Sequence, residues 1–192
     1  MALILRAAER RSVPWKNGGG LTREVAAHPA GSDLDNFDWR VSVAEVRRGG
    51  AFSCFAGVER HMAVIAGCLE LSISGRDAVR LSVEAPPLSF PGEVPVYAEP
   101  GAEPATDLNV MTRRGRFVAT MTRCSAAVVT EVGLEADTTL LLALAQLTLR
   151  VPGVDAQLSA LDAARFSTRG QTLSVHPPPA GACFWLIEIR SA

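Results

Sequence analysis

The sequence predicts an all-β protein built from two related halves, each a β-barrel or sandwich. Three observations predict this. First, prolines and glycines punctuate the chain so often that most segments between them have only strand length. Second, several of these segments alternate polar and apolar residues with period two, whereas amphipathic helical spacing is scarce. Third, a strand–turn–strand–turn unit recurs at an offset of about 76 residues.

Each expected element follows from this pattern. In Asp38–Val46, Trp39, Val41 and Val43 share one face, and Arg40, Ser42 and Ala44 share the other. In Thr106–Arg113, Leu108 and Val110 alternate against Asp107, Asn109, Met111 and Arg113. Arg60–Glu70, Arg80–Glu84 and Phe184–Ile189 also read as strands. Leu158–Arg165 is the one stretch expected to form a short turn or helix. The repeat matches Val64–Ile73 with Leu140–Leu149. A Gly/Asp turn follows each copy, Gly75–Asp77 and then Gly153–Asp155, and then a phenylalanine, Phe90 or Phe166. Chance similarity between two hairpins is the competing explanation. The pattern divides the chain into residues 1–116 and 117–192, with N-terminal strands crossing over to complete the shorter second half.

Composition narrows the function classes. Apolar residues make up 48% of the 192 and charged residues 20%, as in ordinary globular proteins. The net charge is −1, and no basic stripe interleaves with aromatics. Nucleic acid is therefore not an expected partner, since its binding rests on neutralising phosphates. The apolar run around Leu140–Leu147 is too short for a membrane span and contains Gln146. The first residues lack the layout of a signal peptide, so the expected location is the cytoplasm. Cys54, Cys68, Cys124 and Cys183 form no CxxC pair and read as reduced thiols. Of 19 basic residues only Lys16 is a lysine, a bias that suggests a GC-rich bacterial genome.

The strongest local signal is Pro14-Trp15-Lys16-Asn17-Gly18-Gly19-Gly20-Leu21-Thr22-Arg23-Glu24. It contains no GxxxxGK[ST] and no GxGxxG, so a phosphate loop is rejected. Consecutive glycines instead let the backbone adopt positive φ or pass close to a strand or ligand; a purely structural turn is the simpler alternative. Three further segments follow in order: Trp39–Ala44, Gly50–Arg60 and Asp107–Arg113. Together the four segments resemble the HutD/Ves family. The resemblance covers most of residues 14–115, and the C-terminal third shares only a general β character. It implies a bicupin fold, two cupin-like barrels or sandwiches packed together, which suits the tight glycine turn of Phe90-Pro91-Gly92-Glu93. It also implies a link to histidine utilisation, through sensing of an intermediate such as formylglutamate, or to a stress response. The family brings no assigned catalytic activity. His61 departs from its pattern, since other members often carry a hydroxyl or aliphatic residue there.

Cupin enzymes usually hold a metal with clustered histidines and a glutamate. Here His28, His61 and His176 are far apart, with no HxH, so neither a metal nor another cofactor is expected. What remains is a set of strand residues suited to a small anionic metabolite: Thr22, Arg23, Arg40, Ser42, Glu59, Arg60, His61, Asn109, Met111 and Arg113. Guanidinium groups grip carboxylates bidentately and stay charged at every relevant pH. Ser42, Thr22 and Asn109 add neutral hydrogen bonds, and Glu59 and Asp107 orient or neutralise the arginines. Trp15, Trp39, Phe52 and Phe55 read as core or pocket wall. The alternative places the arginines on the solvent face or in loop braces.

Three functions follow. The first is a metal-independent, ligand-binding regulator. The second is a metal-free enzyme acting on a small carboxylic acid, with Glu59, His61 or Asp107 as base. The third is a structural or partner-binding scaffold. A homodimer is compatible with the sequence.

Overall fold

A computed structural model describes residues 2–15 and 17–192; the single lysine, Lys16, lies outside the described residues. The strands are Ala2–Leu5 (β1), Ser12–Pro14 (β2), Gly20–His28 (β3), Trp39–Val46 (β4), Gly50–Ala51 (β5), Val58–Ala66 (β6), Cys68–Ile73 (β7), Val79–Ser82 (β8), Leu88–Pro91 (β9) and Val96–Pro100 (β10). They continue as Ala105–Arg113 (β11), Phe117–Ala126 (β12), Thr130–Leu134 (β13), Thr138–Ala143 (β14), Leu147–Val151 (β15), Val154–Leu158 (β16), Ala163–Phe166 (β17), Gln171–His176 (β18) and Ala182–Ser191 (β19). Ala7–Glu9 forms a single 3₁₀ turn. The fold is all-β, and no helix among the described residues is long and apolar enough to cross a membrane.

The chain divides into two compact units, Met1–Glu9 with Ala119–Ser191, and Arg10–Val118 with Ala192. Each is a sandwich of two open sheets. In the Arg10–Val118 unit the larger sheet has the order β2-β3-β4-β11-β6-β9 and the smaller β5-β10-β7-β8. Met62, Val64, Leu69, Leu71, Phe90 and Val96 fill the space between them. Strand alternation explains this core: each inward residue is two positions from the next, and its outward neighbours, apart from the buried Ala63, are polar or partly exposed. In the other unit the sheets are β1-β17-β14-β19-β12 and β13-β18-β15-β16. Leu134, Leu141, Leu147, Leu158, Phe166 and Phe184 pack its interior.

Two expectations change on inspection. Gly67 adopts φ +74° and splits Arg60–Glu70 into β6 and β7. Leu158–Arg165 forms the turn and not the helix of the two forms expected: Leu158 ends β16, a turn follows at Ala160–Leu161, and Ala163–Phe166 is β17, paired with both β1 and β14. Two ladders of backbone hydrogen bonds outweigh one helical turn, which is too short to repay its nucleation.

The glycine run serves the β2–β3 connection. Gly18 lies at φ +67°, and the Gly18 N–H donates to the Trp15 carbonyl at 3.0 Å. At Gly20 a Cβ would collide with the Glu45 carbonyl of β4, so only glycine lets the two strands pass this closely.

Candidate functional site

The site grows out of the pleat of β3, β4, β11 and β6. On β4 the odd-numbered Trp39, Val41 and Val43 are buried on one face, which turns Arg40, Ser42 and Ala44 to the other. Pairing with β11 sets Ser42 beside Asn109 and Arg40 beside Met111. Pairing of β11 with β6 sets Met111 beside Arg60, diagonal to Asn109. On β3, Thr22 and Glu24 join this face before a bulge between Glu24 and Ala26 shifts the register. Trp15, Phe52 and Phe55 close over these strands and complete a cavity of about 900 Å³.

The deepest polar group is Arg60, which is only 6% exposed. Its Nη2 donates to Asn109 Oδ1 at 2.8 Å, and its Nε has no hydrogen-bond partner. Three rings surround the guanidinium carbon: Phe52 at 5.0 Å, Phe90 at 5.1 Å and Phe55 at 5.9 Å from their centroids. Cation–π attraction replaces part of the lost hydration. Burial lowers the Arg60 pKa to about 10, against the pull of Asp107 and Cys54, so the side chain stays cationic at neutral pH.

Behind Asn109 lies Asp107, fully buried. Asn109 Nδ2 donates to Asp107 Oδ1, while Oδ2 has no partner. This fixes the amide with its oxygen toward Arg60 and its nitrogen toward Asp107. Burial raises the Asp107 pKa to about 7, with Arg60 acting in the opposite direction. Nearer the opening, Arg40 Nε donates to Glu24 Oε2 at 2.8 Å and its Nη1 reaches Ser42 Oγ at 3.5 Å. Thr22 Oγ1 accepts from Trp15 Nε1 at 2.8 Å and so holds the indole as a wall.

Of the residues expected from sequence, Thr22, Arg40, Ser42, Arg60, Asn109 and Met111 line the cavity together. Arg23, Glu59, His61 and Arg113 do not. Arg23 alternates to the face opposite Thr22 and Glu24, where its charge reaches Glu45. Glu59 and His61 flank Arg60 on β6 and therefore point away from it. Arg114 Nη1 lies 3.8 Å from Glu59 Oε2, and His61 Nδ1 shares a 2.7 Å hydrogen bond with Ser89 Oγ. Burial lowers the His61 pKa, partly offset by Glu59. Arg113 does follow Met111 on the inward face of β11, but it lies at the strand end. There it donates to the carbonyls of Ala56, Asp35 and Phe37 at 3.0–3.2 Å and covers the Phe37 ring. It braces loops, as the alternative reading of these arginines has it.

Sequence reasoning missed other lining residues. Glu24 was detectable, because it alternates with Thr22. Arg11, Asp33 and Leu34 come from β2's approach and the β3–β4 loop, where no periodicity announces orientation. Trp39 is not a wall; it packs on the other face of β4, stacked with His28 at 5.8 Å.

A cupin-type metal does not fit these residues. No histidine lines the cavity. Among the described residues no three His, Cys, Asp or Glu side chains gather in a metal-binding group. Its polar lining sets three guanidiniums, Arg11, Arg40 and Arg60, against three carboxylates, Glu24, Asp33 and Asp107, together with amides and hydroxyls; the deepest of the guanidiniums, Arg60, is a group that complements an anion.

Comparison with known proteins agrees with this architecture. The family model described as HutD matches residues 7–184. An uncharacterised 21.2 kDa protein in the hutC 3′ region of Pseudomonas putida is 40% identical over 84 residues, 44% of this chain and 39% of that protein. Protein Ves of Cronobacter sakazakii is 36% identical over 104 residues, 53% of this chain and 55% of that protein. The chain thus spans about half the length, or less, of these curated relatives. A conserved protein of unknown function from Pseudomonas aeruginosa has the same fold over 100% of both chains, with a TM-score of 0.91 and 28% identity. HutD from Pseudomonas fluorescens SBW25, solved in a formate condition, also aligns over 100% of both chains, with a TM-score of 0.83 and 29% identity. A cupin 2 conserved barrel domain protein from Leptotrichia buccalis aligns at a TM-score of 0.62 with 12% identity, covering 93% of this chain and 92% of that one, and shares the fold alone. By the family match across most of its length, together with its two cupin-like sandwiches, the chain belongs to the HutD family.

Proposed function

We propose that the cavity of the Arg10–Val118 unit binds a small carboxylate without a metal, and that the protein thereby senses a metabolite. The observation that carries this reading is Arg60: a buried cation whose Nε lacks a partner, set in a cavity of about 900 Å³. An unpartnered charged donor in a low-dielectric site costs free energy, and a carboxylate that accepts from it recovers that cost. Asn109 and Ser42 supply further hydrogen bonds, and Phe52, Phe55 and Trp15 shield them from water.

The names of the relatives suit a regulatory role in histidine utilisation or in a stress response, and the resemblance to the HutD/Ves family makes formylglutamate the first ligand to try. The test is a thermal-shift panel of formylglutamate, formate, glutamate and urocanate. At least one carboxylate raises the melting temperature of the wild-type chain, and Arg60→Met abolishes the shift. A panel that leaves the wild type unmoved overturns the reading.

A further inference from the structure

Asp107 is the feature that simple anion binding does not use. A site that attracts a carboxylate through Arg60 gains nothing from a second carboxylate on the other side of the same amide. Yet Asp107 sits there, fully buried, with Oδ1 held by Asn109 and Oδ2 without a partner. We propose that an anion seated against Arg60 draws one proton from solvent onto Asp107 Oδ2, so that the site takes up its carboxylate and a proton together. This rests on reading the cavity as an anion site.

The electrostatics are those of one cation between two acids. In the ligand-free chain Arg60 and Asp107 partly neutralise each other across Asn109. An incoming carboxylate in the cavity neutralises the Arg60 guanidinium. Asp107 then loses its counter-charge and faces a new negative charge in a medium that screens poorly. Protonation removes the repulsion: an O–H bond forms on Oδ2, and the buried acid becomes neutral. Asp107 already titrates near neutrality, so the proton is cheap to acquire.

The surroundings offer no better acceptor. Among the described residues the charged side chains of the cavity are Arg60 from β6, Arg40 from β4, Glu24 from β3, and Arg11 and Asp33 near the opening. Cys54 acts on Arg60 from the segment after β5. Strands β5, β7, β8 and β10 contribute no charged side chain to the lining. Glu24 is already engaged with Arg40 and is 42% exposed.

Calorimetric titration of the full chain with formate tests this directly, because formate itself does not titrate between pH 7 and 8. Run in two buffers of different ionisation enthalpy, the wild type shows uptake of a fraction of a proton rising toward about one per formate bound. Its affinity falls as pH rises above 7, approaching about tenfold per pH unit. In Asp107→Asn the heats no longer depend on the buffer and the affinity no longer depends on pH. Should that variant fail to fold, infrared difference spectra of the wild type decide instead: formate loading produces a protonated-carboxyl C=O band. Wild-type binding with buffer-independent heats and no such band overturns the proposal and leaves the anion site standing. Uptake undiminished in a folded Asp107→Asn also overturns it. No binding of any carboxylate overturns the anion site itself and this inference with it.

Discussion

Arg60 concentrates the chemistry of the molecule in one side chain. Three phenylalanine rings and one amide replace water around it, and its buried Nε has no hydrogen-bond partner. Replacing it with methionine keeps the packing and removes the charge. Carboxylate affinity falls by about 30- to 100-fold, the worth of one charge-assisted hydrogen bond, as read by calorimetric titration. Asp107 makes a separate prediction about stability. Burial moves its pKa from 3.8 to about 7, so the native state holds a proton that the unfolded chain releases. Its stabilising share is complete below the unfolded value and is lost as pH rises through about 7. Asp107→Asn cannot lose that share, so its melting temperature gains on the wild type between about pH 4 and about pH 7 and the difference levels off above. At this scale the residue types were legible, since arginines, Asn109 and Ser42 stand in segments of strand character. The engagement of each arginine was not. Arg60 and Arg113 look alike in sequence, and only the loops around Ala56 and Phe37 distinguish ligand-facing donor from brace.

Strand alternation decides which candidates can act. Arg60 lies inward on β6, so Glu59 and His61 lie outward, the latter tied to Ser89. Glu59→Gln and His61→Ala therefore leave carboxylate affinity within about twofold of wild type, since neither shares a partner with the ligand. The same strand geometry makes Gly20 sensitive. An alanine there drives Cβ into the Glu45 carbonyl, and chemical denaturation registers a loss of about 1–3 kcal/mol, the usual range for an overpacked contact. Periodicity made the alternation of β4 and β11 readable, through Trp39, Val41 and Val43 on one and Leu108 and Val110 on the other, but it did not say which face points inward. At Leu158–Arg165 it was half right: the turn forms at Ala160–Leu161, but pairing with β1 and β14 makes the rest strand and not helix. It was silent on Arg11, Asp33 and Leu34, because a residue in a loop has no fixed alternation.

Each unit of the whole molecule treats its sandwich differently. The repeat seen in the sequence corresponds to structure: β7 and β8 pair as β15 and β16 do, and Phe90 on β9 and Phe166 on β17 pair with β6 and β14. The Arg10–Val118 unit keeps the charged pair Arg60 and Asp107 with Asn109 inside, whereas Leu141, Phe166 and Phe184 dominate the other interior, with Thr139 buried beside Phe166. Leu141→Ala there costs about 2–5 kcal/mol of stability and leaves carboxylate affinity unchanged. That unit is also clamped by Asp162. Burial works to raise its pKa, but the Ala7 N–H, Arg6 and the Ser159 N–H outweigh burial and hold it low. A depressed carboxylate stabilises the fold above the ordinary Asp range, and the benefit is lost as pH falls through the depressed value; Asp162→Asn flattens this acid limb in a pH series of melts. The filled interior was hidden from the sequence because both halves alternate alike, and only packing shows which one stays open. The claim on which the rest depends is that the Arg60 guanidinium donates to the ligand. Nitrogen-15 NMR of the arginine Nε–H groups during a formylglutamate titration reads that donor. The account predicts a saturable shift of the Arg60 signal larger than that of any other arginine; a ligand that binds while the Arg60 signal stays in place would contradict it.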